Sequence, residues 1–72
     1  MDAVVREKVE KILNGELRYT STNLAFNMLI SKMQKRLKAG SVDMETCMKE
    51  MEEFLAKYPI VAKVDLANIA AL

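Results

Sequence analysis

The chain contains no histidine and no tryptophan, one cysteine, one proline and two glycines. Each scarcity removes a class of explanation. Without histidine, the commonest metal ligand and the commonest general base are missing. With Cys47 alone, no internal disulfide can form. Few glycines and prolines leave too few turns for a β-rich fold. No run of about 18 apolar residues is present, so no segment reads as a membrane span. The start, Met1-Asp2-Ala3-Val4-Val5-Arg6, lacks the basic-then-apolar pattern of a secretory leader. A lone thiol suits a reducing compartment, so the expected location is the cytosol.

What is present is hydrophobic, helical and short. Half of the 72 residues are hydrophobic (51%) and 29% are charged, which is the balance of a globular chain. A chain of this length buries only about 60% of its unfolded surface. Small cores are supplemented by disulfides, metals or oligomerisation. No EF-hand spacing is found among the carboxylates, which leaves oligomerisation or a partner.

Breaks at Asn14-Gly15, Gly40-Ser41 and Pro59 divide the chain into four pieces, each with helical periodicity. Helix 1 is expected over about Asp2–Leu13, capped by Asp2, with Val5, Val9, Ile12 and Leu13 on one arc. Leu17 and Tyr19 are expected to fold back onto the core. Helix 2 is expected over about Thr22–Ala39, starting at Thr20, Ser21 or Thr22. Phe26, Leu29, Ile30, Met33 and Leu37 share its main face, and a second apolar stripe is formed by Leu24 and Met28. That stripe continues as Lys32 and Lys35. Helix 3 is expected over about Asp43–Lys57, with Met44, Cys47, Met48, Met51, Phe54, Leu55 and Tyr58 on one side. The tail from Ile60 onward has two apolar faces. One carries Ile60, Val64, Ala67 and Ala71, and the other carries Ala62, Leu66 and Ile69. The expected fold is all-α: one domain over residues 1–72, a small antiparallel three-helix bundle with a short fourth C-terminal helix or packed tail.

Few residues point to chemistry. Cys47 lies within the apolar stripe of helix 3, without a base nearby, and reads as a small buried hydrophobe rather than a nucleophile. The methionines read as flexible core filling, except Met28. Paired acids such as Glu52-Glu53 imply no cleft. No phosphate loop, triad or cofactor motif occurs.

The remaining signals are two surfaces. One is basic: Lys32, Lys35, Arg36 and Lys38, in a stretch from residue 17 to 42 that carries no acid. The following stretch, 43 to 53, is acidic, and the net charge is only +1. Nucleic-acid binders are usually basic overall. A helix-turn-helix reading would make helix 3 the reader, whose outer face is acidic; helix 2, with Asn23 and Asn27, fits somewhat better. The other surface is surplus apolar: Leu24, Met28, Leu66 and Ile69. Exposed together, these exceed what a soluble monomer tolerates. The expectation is therefore a non-enzymatic protein-interaction module without cofactor or metal: a small adaptor, inhibitor or regulator. It is expected to form a homodimer in which the tail and the start of helix 2 meet their symmetry mates. The alternative is a nucleic-acid-binding regulator using the four basic side chains.

Overall fold

Asp2 starts the first helix: its Oδ1 accepts the backbone N–H of Val4 (2.7 Å) and Val5 (3.2 Å). These N–H groups have no partner inside the helix, which is why an aspartate is favoured there. In the computed structural model, which describes residues 1–72, four helices follow in order: α1 (Ala3–Leu13), α2 (Leu24–Lys38), α3 (Met44–Lys57) and α4 (Pro59–Ala70). No strand is present.

Both glycines act as helix stops. Gly15 (φ +79°) and Gly40 (φ +72°) take the left-handed backbone that side chains disfavour. After α1, Gly15 N–H donates to Ile12 C=O (3.1 Å) and Glu16 N–H to Lys11 C=O (2.8 Å). After α2, Gly40 N–H donates to Leu37 C=O and Ser41 N–H to Arg36 C=O, each at 3.1 Å. These are paired closures of the Schellman type, and they satisfy carbonyls the helix leaves open. Asp43 caps α3 by accepting the Thr46 N–H at 2.8 Å.

The start of α2 differs from expectation. Its cap is Asn23, not Thr20, Ser21 or Thr22, and its Oδ1 accepts the Phe26 N–H (3.1 Å). The reason lies one turn ahead. The Asn27 side chain reaches back and clamps Ser21, accepting its N–H (2.8 Å) and donating to its C=O (2.7 Å). Ser21 is buried, and its Oγ accepts the Asn23 N–H (2.8 Å). The clamp holds residues 21–23 non-helical and satisfies backbone groups that burial would otherwise orphan.

Tyr58 alone separates α3 from α4. Pro59 occupies the first position of α4, where its missing N–H costs nothing, and it keeps Tyr58 out of helical conformation. The tail is therefore the fourth helix. It packs on α1 and α3, while α1 also packs on α2. Gln34 Nε2 donates to the Ile12 carbonyl (2.9 Å), and Lys8 Nζ to the Ala70 carbonyl (2.7 Å), tying α2 and α4 to α1.

The core draws on all four helices: Val5, Val9, Ile12 and Leu13; Phe26, Ile30 and Met33; Cys47, Met48, Met51 and Leu55; Val61 and Ile69. Leu17 and Tyr19 pack against it from the α1–α2 connection, as expected. The four aromatic side chains form one run. Tyr19 meets Phe26 edge-on at 6.4 Å, Phe26 stacks on Phe54 at 5.9 Å, and Phe54 meets Tyr58 at 4.7 Å. Such pairs add about 0.5–1.5 kcal/mol each beyond their burial.

The face that α4 turns inward is Val61, Asp65 and Ile69, with Ala62 and Leu66 beside them. Asp65 is only 2% exposed, and none of the three salt bridges includes it. Its carboxylate accepts a hydrogen bond from the Tyr19 hydroxyl. Burial, and then this bond to Asp65, push the Tyr19 phenol above its ordinary value.

Two outcomes follow. Tyr19→Phe leaves a buried carboxylate without its donor and should cost about 1–3 kcal/mol in urea unfolding at neutral pH. The folded chain also holds the Tyr19 proton more tightly than the unfolded chain. Its contribution is thus fully present below about pH 10 and is lost as pH rises through the raised folded value. Stability of the wild type should fall above pH 10, and in Tyr19→Phe this part of the fall should vanish.

Candidate functional site

The outer face of α2 is the most distinct surface of the molecule. Leu24 is 74% exposed and Met28 is 63% exposed. They lie one turn apart, and Lys32 and Lys35, both exposed, continue the same side of the helix. The face is thus apolar toward the N-terminus and cationic toward the C-terminus. Cations also suit the C-terminal end of a helix dipole. Met28, Ser31, Lys32, Lys35 and Arg36 line one open hollow.

A second hollow lies between α2 and α3, lined by Leu29, Glu50, Glu53, Phe54, Lys57 and Tyr58. It places the outer end of the aromatic run at the surface, where Tyr58 is half exposed. The two hollows adjoin along α2 through the neighbouring residues Met28 and Leu29. The second hollow sets apolar and aromatic side chains, Leu29, Phe54 and Tyr58, beside the charged Glu50, Glu53 and Lys57, whereas Met28 is the one apolar side chain lining the first.

Arg36 is not a free cation. Its guanidinium forms a two-pronged pair with Glu50, Nη1 to Oε2 at 2.7 Å and Nη2 to Oε1 at 3.3 Å. Such forked pairs fix both side chains in one plane. The Arg36 hydrogen bond holds the Glu50 carboxyl below its ordinary range, and Glu50 in turn raises Arg36. Of the four basic residues of this surface, Lys32, Lys35 and Lys38 are exposed, whereas Arg36 joins α2 to α3. Asn23 and Asn27, the side chains that could have read base edges, are committed to capping α2 and to the Ser21 clamp.

The four apolar residues expected to form one interface do not lie on one surface. Ile69 is fully buried in its own chain's core. Leu66 is half-buried and lines a separate hollow with Met1, Glu52, Leu55 and Ala56. The tail also does not fold over the Leu24–Met28 stripe, because α4 packs on α1 and α3. Its solvent side is the opposite apolar face, with Ile60 at 78% and Val64 at 45% exposure. The two apolar faces of α4 were nearly equivalent in composition. The face turned inward carries Val61, Asp65 and Ile69 with Leu66 beside them, which takes Ile69 out of the expected interface and buries a carboxylate. Tyr58 was also assigned to the core arc of α3; its position just before Pro59 was the available sign that it ends a helix and turns outward.

Cys47 is fully buried among Met48, Met51 and their neighbours. Burial pushes its thiol pKa up, against a smaller opposing pull from Arg36. No three histidine, cysteine, aspartate or glutamate side chains come together in a metal-holding arrangement. No helix is long and apolar enough to cross a membrane. Comparison of the chain with protein-family models, with curated proteins and with solved structures finds no match.

Two measurements check this layout. Replacing Lys32, Lys35 or Lys38 by glutamine should change stability by less than about 0.5 kcal/mol, whereas Arg36→Gln should lower the melting temperature measurably. The Arg36 effect should shrink as pH falls, because a depressed Glu50 contributes stability above its ordinary range and loses it as its folded carboxyl protonates. Cys47 should react with a thiol reagent only at the rate of unfolding or local opening, far slower than in denaturant.

Proposed function

We propose that this chain is a non-enzymatic protein-interaction module, a small adaptor, inhibitor or regulator that acts through the outer face of α2 and the adjoining α2–α3 hollow. The observation that carries the reading is the exposure of Leu24 and Met28 in line with free lysines, which gives one helix face an apolar half and a cationic half. The partner that fits is an amphipathic helix of another protein. Its apolar residues would cover Leu24, Met28 and Tyr58, and its acids would face Lys32 and Lys35. The apolar and cationic parts of the surface adjoin at one helical turn, Met28 to Lys32, about 6 Å along the axis. Running antiparallel to α2, such a helix would place acids in its own first turn, where the helix dipole favours them. We place the protein in a reducing compartment, the cytosol, on the strength of its single buried thiol.

Nucleic-acid binding is the second reading, and Lys32, Lys35 and Lys38 support it. Engagement of Arg36 by Glu50 weakens it, as does a net charge of +1. Phosphate contacts by three lysines would produce binding that falls steeply with salt.

The two readings separate in one experiment. The isotope-labelled chain is titrated with a helical peptide carrying glutamates in its first turn and leucines at i, i+4 spacing, and separately with a short DNA duplex. The protein-binding reading expects the peptide to shift the amide signals of Leu24, Met28, Lys32 and Lys35. It also expects Leu24→Asp with Met28→Asp to abolish the shifts while helicity stays constant. Shifts with duplex alone, lost in Lys32→Gln with Lys35→Gln and unaffected by the aspartate pair, would overturn it in favour of nucleic acid.

A further inference from the structure

The outer face of α4 is a second unpartnered surface, and it differs from the α2 face in being complementary to itself. Ile60, Val64, Ala67 and Ala71 all lie on the solvent side, and at about 100° per residue they occupy one narrow arc. The opposite arc, Val61, Asp65 and Ile69, is the one the core takes. The outward arc therefore has no partner in its own chain.

We infer that this face binds the same face of a second copy, as an antiparallel helix pair about a two-fold axis passing between Asp65 and Leu66. In that register Ile60 meets Ala71 of the second copy, and Val64 meets its Ala67. Each large side chain is matched to a small one, which allows close approach without voids. Two-fold symmetry supplies every contact twice, which closes the assembly at two chains. The charge pattern is compatible. Lys63 is the only charged residue among the exposed positions of α4. The two copies of Lys63 are offset along the helix axes by five residues, about 7 Å, so neither faces the other directly. Leu72, half exposed just beyond Ala71, extends the apolar surface at the end that meets Ile60 of the second copy.

The α2 face fails the same test. Paired antiparallel with itself over the whole of that face, about an axis between Leu29 and Ile30, it would set Leu24 against Lys35 of the second copy, and Met28 against Ser31, beside Lys32. Apolar groups would oppose cations, and four lysines would crowd one interface. Self-association therefore belongs to α4. It is independent of the partner reading given for α2, and either can fail alone. A single helix pair is at the low end of interface sizes, so the dimer is concentration-dependent rather than obligate.

Sedimentation of the full chain from about 1 μM to about 0.5 mM tests this. The expected result is a monomer–dimer equilibrium with half-association at roughly 10–100 μM, the range for a small apolar interface. Val64→Asp should weaken association at least tenfold while far-UV circular dichroism stays unchanged, because residue 64 lies outside the core. Leu24→Asp should leave association as in wild type. Register is read independently: a mixture of Val64→Cys and Ala67→Cys chains should oxidise to the mixed disulfide faster than either chain alone, with the buried Cys47 as a silent internal control. A wild type that stays monomeric at 0.5 mM, a Val64→Asp variant that dimerises normally, or a dimer abolished by Leu24→Asp would each overturn the inference. If Val64→Asp loses helicity, the cysteine mixture decides the question.

Discussion

The hydrogen bond from Tyr19 gives Asp65 a partner on the side of α4 that faces the core, and most of the surface follows from that placement. Two apolar faces of similar composition compete for burial on this helix, and hydrophobic area alone discriminates weakly between them. Tyr19 lies in the connection between α1 and α2, half-buried against the core. Its hydroxyl gives the inward position of Asp65 a donor. Without it, a carboxylate at 2% exposure would be left largely unsolvated and unpaired. With α4 in this orientation, Val61 and Ile69 complete the core, and Ile60 and Val64 are left facing water. Had α4 turned the other way, the outer surface would carry Asp65, and its character would be polar.

The connection that delivers Tyr19 is itself held by polar contacts. Residues 14–23 contain no helix, and a segment this long with no order of its own would leave the Tyr19 hydroxyl free to wander. The Schellman closure at Gly15 fixes how the segment leaves α1, and the Asn27–Ser21 clamp fixes how it enters α2. Between those two points Leu17 and Tyr19 drop toward the core. The aromatic run then couples the connection to the rest of the bundle: Tyr19 rests against Phe26, Phe26 against Phe54, and Phe54 against Tyr58. α2 and α3 are joined at one end by the Phe26–Phe54 stack and at the other by the Arg36–Glu50 fork. Neither contact alone is large. Their separation along the helices sets the angle between them and leaves the hollow near Leu29 open.

The parts of this architecture legible in the sequence are those governed by local rules. Asp2 caps α1 because its neighbours begin an amphipathic run, the cap of α3 is narrowed to Ser41 or Asp43 and proves to be Asp43, and Gly15 and Gly40 stop helices because the backbone there turns left-handed. The inward residues of α1 and α3, Cys47 included, follow from periodicity. The parts that are not legible depend on which side chains meet, some of them within a turn or two and others far apart in sequence. Asn23 caps α2 because Asn27 holds Ser21 out of the helix, which no count of capping propensities over Thr20, Ser21 and Thr22 conveys. Arg36 reads as one more lysine-like charge until Glu50 is placed opposite it. Ile69 and Leu66 read as surplus because the donor for Asp65 lies 46 residues away. For Arg36 and for Asp65 a polar group satisfied by a partner on another element overrides what local composition suggests.

The placement of charge also distinguishes the roles proposed for the two surfaces. A face that binds its own copy must be complementary to itself under a two-fold rotation, which requires charges near the axis to be absent or offset. The α4 face meets this condition because its one buried acid was taken inward by Tyr19 and its one lysine lies off the axis. The α2 face violates it, since its apolar and cationic halves would be exchanged under the rotation. That asymmetry suits a different molecule carrying the inverse pattern. α4 is anchored to α1 and α3, and its outer side leaves the Leu24–Met28 stripe uncovered. The two surfaces proposed for binding thus share one core. Each is defined less by how apolar it is than by where its few charges lie.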